Sequence, residues 1–373
     1  MFGKRFDLFT LFGFKVRLDL SWFVIAALIT WSLAAQAFPQ LAPGLGKATY
    51  WLMGVAGALG LFASVVAHEV SHALVARRFG MEMRGITLFI FGGVAEMSDE
   101  PPSAKAEFWM AIAGPIMSLV VGGLCAAATL AALPKAVAEV VGWLALINVV
   151  LALFNLVPAF PLDGGRVLRS ILWHTKGDLR GATRITSTIG SGFGFLLIGF
   201  AVVRVLVWGD LIGGVWMFLI GLFLRNAAQM SYQQLLLRRV LEGEPVSRFM
   251  ETDPVTVPRA ISVEQLVEEY VYRYHFKMFP VVDGERLVGC VTTRQIKELP
   301  REEWDRTSVG ALASACADDN TVAPDADAMA ALATMNQNQA SRLMVVDGDR
   351  LLGILTLKDL LQFFSLKIEL EKA

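Results

Sequence analysis

The sequence His68-Glu69-Val70-Ser71-His72 places two histidines four residues apart, with a glutamate directly after the first. Residues four apart lie on the same face of a helix, so both imidazoles can bind one metal ion. The glutamate is then placed to hold and deprotonate a metal-bound water. This spacing predicts zinc-dependent hydrolysis, with His68 and His72 as ligands and Glu69 as the general base. The alternative is a pair of histidines near a helix end that packs without metal.

The segments around this motif are apolar enough to cross a membrane. Of the 373 residues, 55% are hydrophobic and 18% are charged, which is far from the balance of a soluble domain. Apolar runs predict about six transmembrane helices, near residues 21–38, 50–76, 108–133, 137–157, 185–207 and 211–230. The first run is long and has no clear small-residue cleavage site, so we expect a retained anchor rather than a signal peptide.

Charge and cysteine content argue against nucleic-acid binding, a disulfide framework and a zinc ribbon. A formal net charge of -1 gives no nucleic-acid signal. Cys125, Cys290 and Cys316 are odd in number and lack CxxC spacing, which indicates neither a disulfide framework nor a zinc ribbon. From about residue 242 onward, the composition is that of an ordinary soluble domain.

Lysines and arginines are unequally distributed between the two ends of the predicted helices. If all six span the membrane, both termini share a side and most flanking cations lie there, whereas Lys47, Lys135 and Arg204 flank the other side. The positive-inside rule then predicts cytoplasmic termini and places His68 and His72 toward the cytoplasmic end of the second helix. We therefore expect a multi-pass protein of the cell (inner) membrane.

A catalytic zinc usually has three protein ligands and one open position, so a third ligand is needed. Asp163 is the candidate, because prolines before it and glycines after it are expected to unwind the chain at membrane depth. The fourth predicted helix runs in the same direction as the second, so Asp163 should arrive at the depth of His68 and His72. The alternative is an ordinary Asp-Gly turn after a helix stop. His174 is a reserve ligand.

Three motifs together resemble the site-2 protease family of intramembrane metalloproteases. They are HEVSH, Ala113-Gly114-Pro115 and Asn155-x-x-Pro158-x-x-Pro161-Leu162-Asp163-Gly164-Gly165, and the similarity covers about residues 10–230. The resemblance implies one zinc ion per chain, bound by His68, His72 and Asp163, with Glu69 as the base. It also implies that Asn155, with Pro158 of the same motif, helps to hold the substrate or the oxyanion.

Residues 85–94 are rich in β-branched and aromatic side chains and contain glycines that suit a tight turn. A helical substrate hides its peptide bonds in its own hydrogen bonds, so it must unwind before cleavage. We expect a re-entrant β-hairpin whose free edge binds the unwound substrate as an added strand, with Gly92 and Gly93 among the contacts. The alternative is a cytoplasmic loop with some apolar packing.

The C-terminal part contains an internal repeat, because residues 279–292 match residues 343–356. Each copy predicts a strand, an Asp-Gly turn, a second strand and a helix. The repeat resembles a tandem pair of cystathionine-β-synthase (CBS) domains, which commonly bind ATP, ADP or AMP and often dimerise. The resemblance implies nucleotide contacts at Thr356 and Asp359, whereas the first copy has Gln295 where Asp is usual. A purely structural or dimerising pair is the alternative.

We therefore predict an α-helical polytopic membrane domain with a re-entrant β-hairpin, joined to an α/β cytoplasmic CBS pair. The expected divisions are a membrane-embedded metalloprotease domain, a helical linker and two CBS domains, at residues 1–230, 231–242, 243–300 and 301–373. The predicted function is an intramembrane zinc endopeptidase, modulated by adenine nucleotide, for regulated intramembrane proteolysis. Its expected partners are the lipid bilayer and single-span membrane proteins, such as an anti-sigma factor or a signal-peptide remnant, and no nucleic acid. A homodimer through the CBS pair is also expected.

The alternative function is a CBS-regulated ion transporter or channel, in which the same ionisable residues form an ion site. A transporter commonly has repeated halves with paired broken helices. The sequence has one broken segment, at 155–163, and no second copy of it. The base between two ligands in HExxH also has no use in transport, so the protease is the favoured prediction.

Overall fold

The computed structural model describes residues 5–81, 83–89, 92–97, 100–284, 286–317, 319–338 and 340–371. The chain divides into two compact units. The membrane unit is Met1–Gln233, and the C-terminal unit is Gln234–Ala373.

The membrane unit is built on helices long and apolar enough to cross a bilayer. The described residues contain six of them: Ser21–Leu41, Lys47–Arg78, Ala104–Ala128, Lys135–Asn155, Leu179–Trp208 and Leu211–Leu241, called the first to sixth spans below. The prediction of six membrane helices is confirmed. The sixth span continues well past its apolar run because residues 231–241 extend the same helix, with polar and charged side chains interspersed among apolar ones.

The membrane unit also contains a four-stranded sheet. Its strands are β1 (Arg5–Leu11), β2 (Phe14–Asp19), β3 (Met83–Phe89) and β4 (Gly92–Met97), in that order across the sheet. β1 and β2 are antiparallel, β2 and β3 are parallel, and β3 and β4 form an antiparallel hairpin. The hairpin expected over 85–94 is therefore present, although Ile90 and Phe91 lie outside the described residues.

The hairpin of β1 and β2 was not predicted. Its signal is the alternation of buried Phe14, Val16 and Leu18 with the charged Lys15 and Arg17. A period of two is typical of a strand with one buried face. The segment is short and lies just before a long apolar run, so the membrane helix dominated the sequence pattern.

The chain leaves the fourth span at Asn155 and enters a short helix, Asp163–Lys176, after an irregular segment. The expectation that glycines unwind the chain here is wrong for Gly164 and Gly165, which form the first turn of that helix. They are needed for close packing, because an added Cβ at either position would overlap the backbone of the irregular segment, at Leu156 and Phe160 respectively.

The C-terminal unit contains a seven-stranded sheet. Strands β5 (Val257–Pro258), β6 (Met278–Asp283) and β7 (Arg286–Thr292) are followed across the sheet by β11 (Arg350–Thr356), β10 (Arg342–Asp347) and β9 (Thr321–Val322), and β8 (Ser314–Ala315) pairs with β7. The two copies meet where β7 pairs with β11. Helices Thr293–Glu298 and Leu357–Glu371 follow β7 and β11. The predicted α/β repeat is confirmed.

Equivalent residues of the two copies are buried at equivalent places in their hydrophobic cores. Phe279, Val291 and Ile296 are buried in one core, and their counterparts Leu343, Leu355 and Leu360 are buried in the other. Both hairpins have an irregularity in register at the same place, between Val281 and Val282 in the first copy and between Val345 and Val346 in the second. The repeat read in the sequence is thus a repeat in packing as well as in strand order.

Candidate metal centre

The side chains of His68, His72 and Asp163 come together in the membrane unit. His68 Nε2 lies 3.0 Å and His72 Nε2 lies 3.3 Å from Oδ2 of Asp163. All three ligating atoms lie within 4.8 Å of one another. Both histidines are buried, and the aspartate is half-buried at the start of its helix. The second span and the short helix after the fourth span therefore supply a set of two nitrogens and one oxygen.

Outer contacts fix the orientation of both imidazole rings. The Nδ1–H of His72 donates to the Met110 carbonyl oxygen over 2.6 Å, and Nδ1 of His68 lies 2.9 Å from Ser118 Oγ. Contacts at Nδ1 leave Nε2 of each ring to face Asp163 as a ligand. Metal-binding histidines in proteins are held in this way by a partner on the second nitrogen. The donor set and its outer contacts fit a catalytic zinc site.

The third span passes directly beside the cluster at Gly114. An added Cβ at Gly114 would overlap Nε2 of both His68 and His72. The space in front of the two ligand nitrogens is therefore open only because residue 114 has no side chain. The motif Ala113-Gly114-Pro115 marked this helix in the sequence, but the pattern did not indicate which of its residues faces the histidines.

Glu69 is half-buried beside the cluster, and strand β4 lies against it. An added Cβ at Gly93 would come within 2.6 Å of Glu69 Cγ and 3.1 Å of Oε1. The two residues, predicted separately as base and as substrate contact, are therefore close neighbours. Gly92 pairs with Phe89 at the turn of the same hairpin.

The remaining predicted site residues are placed less centrally. Asn155 is half-buried at the last position of the fourth span, and Pro158 is exposed in the segment that follows. His174 is exposed in the last turn of the short helix, and the described metal cluster does not include it. The reserve ligand is therefore not part of this centre.

Sequence reasoning missed two polar pairs in the interior of the membrane unit. Arg169 on the short helix donates through Nε to Glu107 of the third span over 2.6 Å. Asn148 of the fourth span donates through Nδ2 to Ser64 Oγ over 3.0 Å. Ser64 lies one helical turn before His68 in the second span. Each is a polar residue inside or beside an apolar run, which is the signal that would have identified it.

The nucleotide residues predicted in the C-terminal unit form a helix cap. Thr356 donates through its backbone N–H and its hydroxyl to Asp359 Oδ2, over 3.1 and 2.6 Å. Arg342 pairs with Thr356 across β10 and β11, and burial lowers the pKa of its guanidinium, partly offset by the Asp359 carboxylate. A cavity of about 320 Å³ in this unit has other lining residues, among them Arg286 and Asp349.

Gln295 occupies the position equivalent to Asp359 and makes more contacts. Its Oε1 accepts from the N–H and hydroxyl of Thr292, and its Nε2 donates to Leu312 O and Ser314 Oγ. The whole side-chain amide is thus engaged within the first copy. Nearby, burial raises the pKa of the Cys290 thiol to about 11, so this cysteine stays protonated at neutral pH.

Two histidines of a buried HExxH helix and one aspartate form the ligand set, among apolar spans. These features define a membrane metalloprotease, here followed by a CBS pair. Family models agree: Peptidase family M50 matches residues 56–134 and 122–199, and the CBS domain matches 246–302 and 315–366. The chain belongs to peptidase family M50.

Several known proteins are similar over most of this chain. The zinc metalloprotease Rip3 of Mycobacterium tuberculosis is 36% identical over 353 residues, which cover 93% of this chain and 89% of that protein. A zinc metalloprotease of Synechocystis is 35% identical, over 90% of this chain and 89% of its own. The solved structure of the site-2 protease from Methanocaldococcus jannaschii covers 61% of this chain and 94% of its own, with 27% identity and a TM-score of 0.42. The chain is a zinc metalloprotease of the membrane, which decides against the transporter alternative.

Proposed function

We propose that this protein is an intramembrane zinc endopeptidase that cleaves transmembrane segments of single-span membrane proteins. The observation that carries the proposal is the cluster of His68, His72 and Asp163, with Glu69 beside it, in which both histidines and Glu69 lie on a helix apolar enough to span a bilayer. Ionisable groups at such depth are costly and are kept for function. A peptidase with two of its three ligands on a spanning helix would meet substrates that lie inside the membrane as well.

His68, His72 and Asp163 would hold one zinc ion per chain, and Glu69 would act as the base. A zinc ion held by these residues would supply Lewis acidity, which lowers the pKa of water and polarises a carbonyl. The Glu69 carboxylate takes the proton from water as the carbonyl is attacked, and it then delivers that proton to the leaving amine. The Asn155 side-chain amide would donate to the substrate carbonyl as negative charge develops on its oxygen.

The β3–β4 hairpin would bind the substrate as an added strand. β4 is the last strand of the described four-stranded sheet, so one of its edges has no partner strand within that sheet. An unwound peptide placed along β4 would gain backbone hydrogen bonds that replace those of its own helix. Gly93 lies against Glu69, so a peptide bound near Gly92 and Gly93 would come close to the base. Pro158 would contact the substrate from the segment after the fourth span.

The cell (inner) membrane is the proposed location, with both termini and the CBS pair in the cytoplasm. The support is the excess of flanking lysines and arginines on the side of the termini. A cytoplasmic CBS pair would be exposed to ATP, ADP and AMP and could also join two chains as a homodimer. Regulated proteolysis of an anti-sigma factor, or removal of signal-peptide remnants, would suit such a protease.

Adenine nucleotide would bind at the second CBS copy rather than the first. Arg342, Thr356 and Asp359 offer a cation, a hydroxyl and a carboxylate, which suit phosphate and ribose. The equivalent residues of the first copy are Met278, Thr292 and Gln295, and the Gln295 amide is already engaged. Calorimetric titration of the full chain with AMP should give binding that Asp359→Asn weakens and Gln295→Ala leaves unchanged. Equal loss in both variants would contradict this assignment.

The decisive experiment compares wild type and Glu69→Gln on single-span reporter substrates in detergent, together with the zinc content of both proteins. We expect cleavage by wild type, loss of cleavage in Glu69→Gln with zinc retained, and loss of wild-type cleavage on adding a chelator. A matched control is Glu139→Gln, because Glu139 lies in the fourth span, near its start and four residues after Lys135. Zinc-free wild type, or cleavage by Glu69→Gln at the wild-type rate, would overturn the proposal.

A further inference from the structure

The interior of the membrane unit contains an ion pair that the proposed chemistry does not use. Arg169 is 4% exposed and Glu107 is 0% exposed. Arg169 Nε donates to Glu107 Oε1 over 2.6 Å, and Nη2 also contacts that oxygen. Nη2 further lies 3.5 Å from Oε2 of Glu100. The guanidinium packs over the Phe160 ring at 5.2 Å from its centroid.

Such a pair needs a reason, because removing two charges from water is costly and apolar side chains of similar size often stabilise a fold equally well. Buried ion pairs are best explained where they fix one geometry among several. The contact is suited to this, since two nitrogens of the planar guanidinium converge on one Glu107 oxygen and so restrict its direction.

The pair joins the helix that carries the third ligand to the span that holds both histidine rings. Glu107 lies on the third span, and Arg169 lies on the short helix that begins with Asp163. Arg169 comes six positions after Asp163 in this helix, which is about 9 Å along the axis. The irregular segment on the other side of Asp163 is held by separate turn bonds, such as that from Leu162 N–H to the Ala159 carbonyl, rather than by a continuous helix.

The third span presents its other contacts to the site from the same side. Glu107, Gly114 and Ser118 are spaced by seven and four residues, so they share one face of the helix. Ser118 and the Met110 carbonyl hold the two histidine rings, and Gly114 leaves room in front of them. Glu107, on the same face, reaches the element that carries the third ligand.

We propose that Arg169 and Glu107 are positioning residues that hold the Asp163 helix against the third span and thereby set the place of the third metal ligand. One helix face then orients all three ligands: two through hydrogen bonds at Nδ1 and the third through the ion pair. The inference rests on the proposed metal site at His68, His72 and Asp163.

The test measures metal binding rather than cleavage. Wild type, Arg169→Gln, Glu107→Gln and the double variant are compared as full-length protein in detergent, by chelator competition for zinc and by the visible spectrum of the Co²⁺-substituted protein. Loss of a direct hydrogen bond to a metal ligand typically weakens metal binding about 10- to 100-fold, and we take the same range for the ion pair that holds the ligand's helix. We expect a loss of that size in each single variant, with altered Co²⁺ bands. The double variant should be no worse than the poorer single variant, since the two side chains act as one pair.

Arg204→Gln is the matched control, because Arg204 forms an ion pair with Asp210 over 2.8 Å in which each side chain is 38% exposed. It should bind zinc as wild type does. Arg169→Lys covers the case in which the glutamine variants do not fold: it keeps the charge but loses the fork, and a severalfold loss of zinc affinity is expected. Wild-type zinc affinity and Co²⁺ bands in a folded Arg169 variant would overturn the positioning role, whereas a zinc-free wild type would instead overturn the metal site itself.

Discussion

The two units of this protein differ in the burial of their polar side chains. Among the described residues, every fully buried polar or charged side chain lies in the membrane unit, from Asp19 to Ser187. In the C-terminal unit the buried side chains are apolar, and ion pairs such as that of Arg286 and Asp349 are more than 70% exposed on both partners. The unit richer in apolar residues is thus the one that hides its polar groups.

The difference teaches where substitutions should matter. A buried polar group is retained when a hydrogen bond, a charge partner or a metal compensates its lost hydration. In the membrane unit two such hydrogen bonds, with Ser118 and with the Met110 carbonyl, act directly on His68 and His72. In the C-terminal unit, exposed pairs contribute little because water and salt screen them. Equivalent changes in the two units should therefore differ greatly in their effect on metal binding.

The largest effect is expected for Gly114→Ala. The new Cβ would overlap Nε2 of both His68 and His72, so the histidines and a metal ion cannot keep their places together. We expect loss of zinc by elemental analysis and loss of cleavage in the same protein. Gly123→Ala on the same span is the control, because an added Cβ there has no atom within 4 Å. Stoichiometric zinc in Gly114→Ala would show that Gly114 does not border the zinc site.

A smaller effect, on the base alone, is expected for Gly93→Val. The side chain would come within 2.6 Å of Glu69 Cγ, so the carboxylate has to rotate away. General-base catalysis typically contributes about 10²- to 10⁴-fold to the rate, and we expect a loss of kcat within that range while zinc content is unchanged. Gly192→Ala in the fifth span, where an added Cβ is unobstructed, should keep its activity. Joint loss of zinc and activity in Gly93→Val would assign β4 to the metal rather than to the base.

Ser118→Ala should have a more modest effect, since it removes a single outer contact. His68 would lose its partner at Nδ1 and the ring could rotate. Zinc affinity, measured by chelator competition, should fall about 10-fold. Thr129→Ala at the end of the same span is the control, because its hydroxyl is bonded to the local backbone at an exposed position. An unchanged zinc affinity in Ser118→Ala would mean that the His72 contact with Met110 suffices to orient the site.

The contrast between the units also explains what the sequence could and could not predict. Six apolar runs, the HExxH spacing and the repeat with its Asp-Gly turns are local patterns, and the spans and the α/β repeat followed from them. The approach of Asp163 to the histidines was inferred from matched depth. Gly114, Glu107 and Arg169 depend on which helix faces touch, and no local period in one sequence contains that information. The β1–β2 hairpin was missed because its alternation is brief beside a long apolar run.

The smallest effect is expected for Arg286→Gln in the C-terminal unit. Arg286 and Asp349 join the two CBS copies at 3.0 Å, but both side chains are more than 70% exposed. An exposed ion pair contributes between 0 and about 1 kcal/mol, so the unfolding midpoint of the full chain should move little and zinc affinity should not move at all. The same change of Arg to Gln at position 169, in the buried pair, is expected to weaken zinc binding at least tenfold. If Arg286→Gln weakened zinc binding as much as Arg169→Gln, then burial would not be what separates the two units. The metal site would instead be coupled to the CBS pair through the continuous helix Leu211–Leu241.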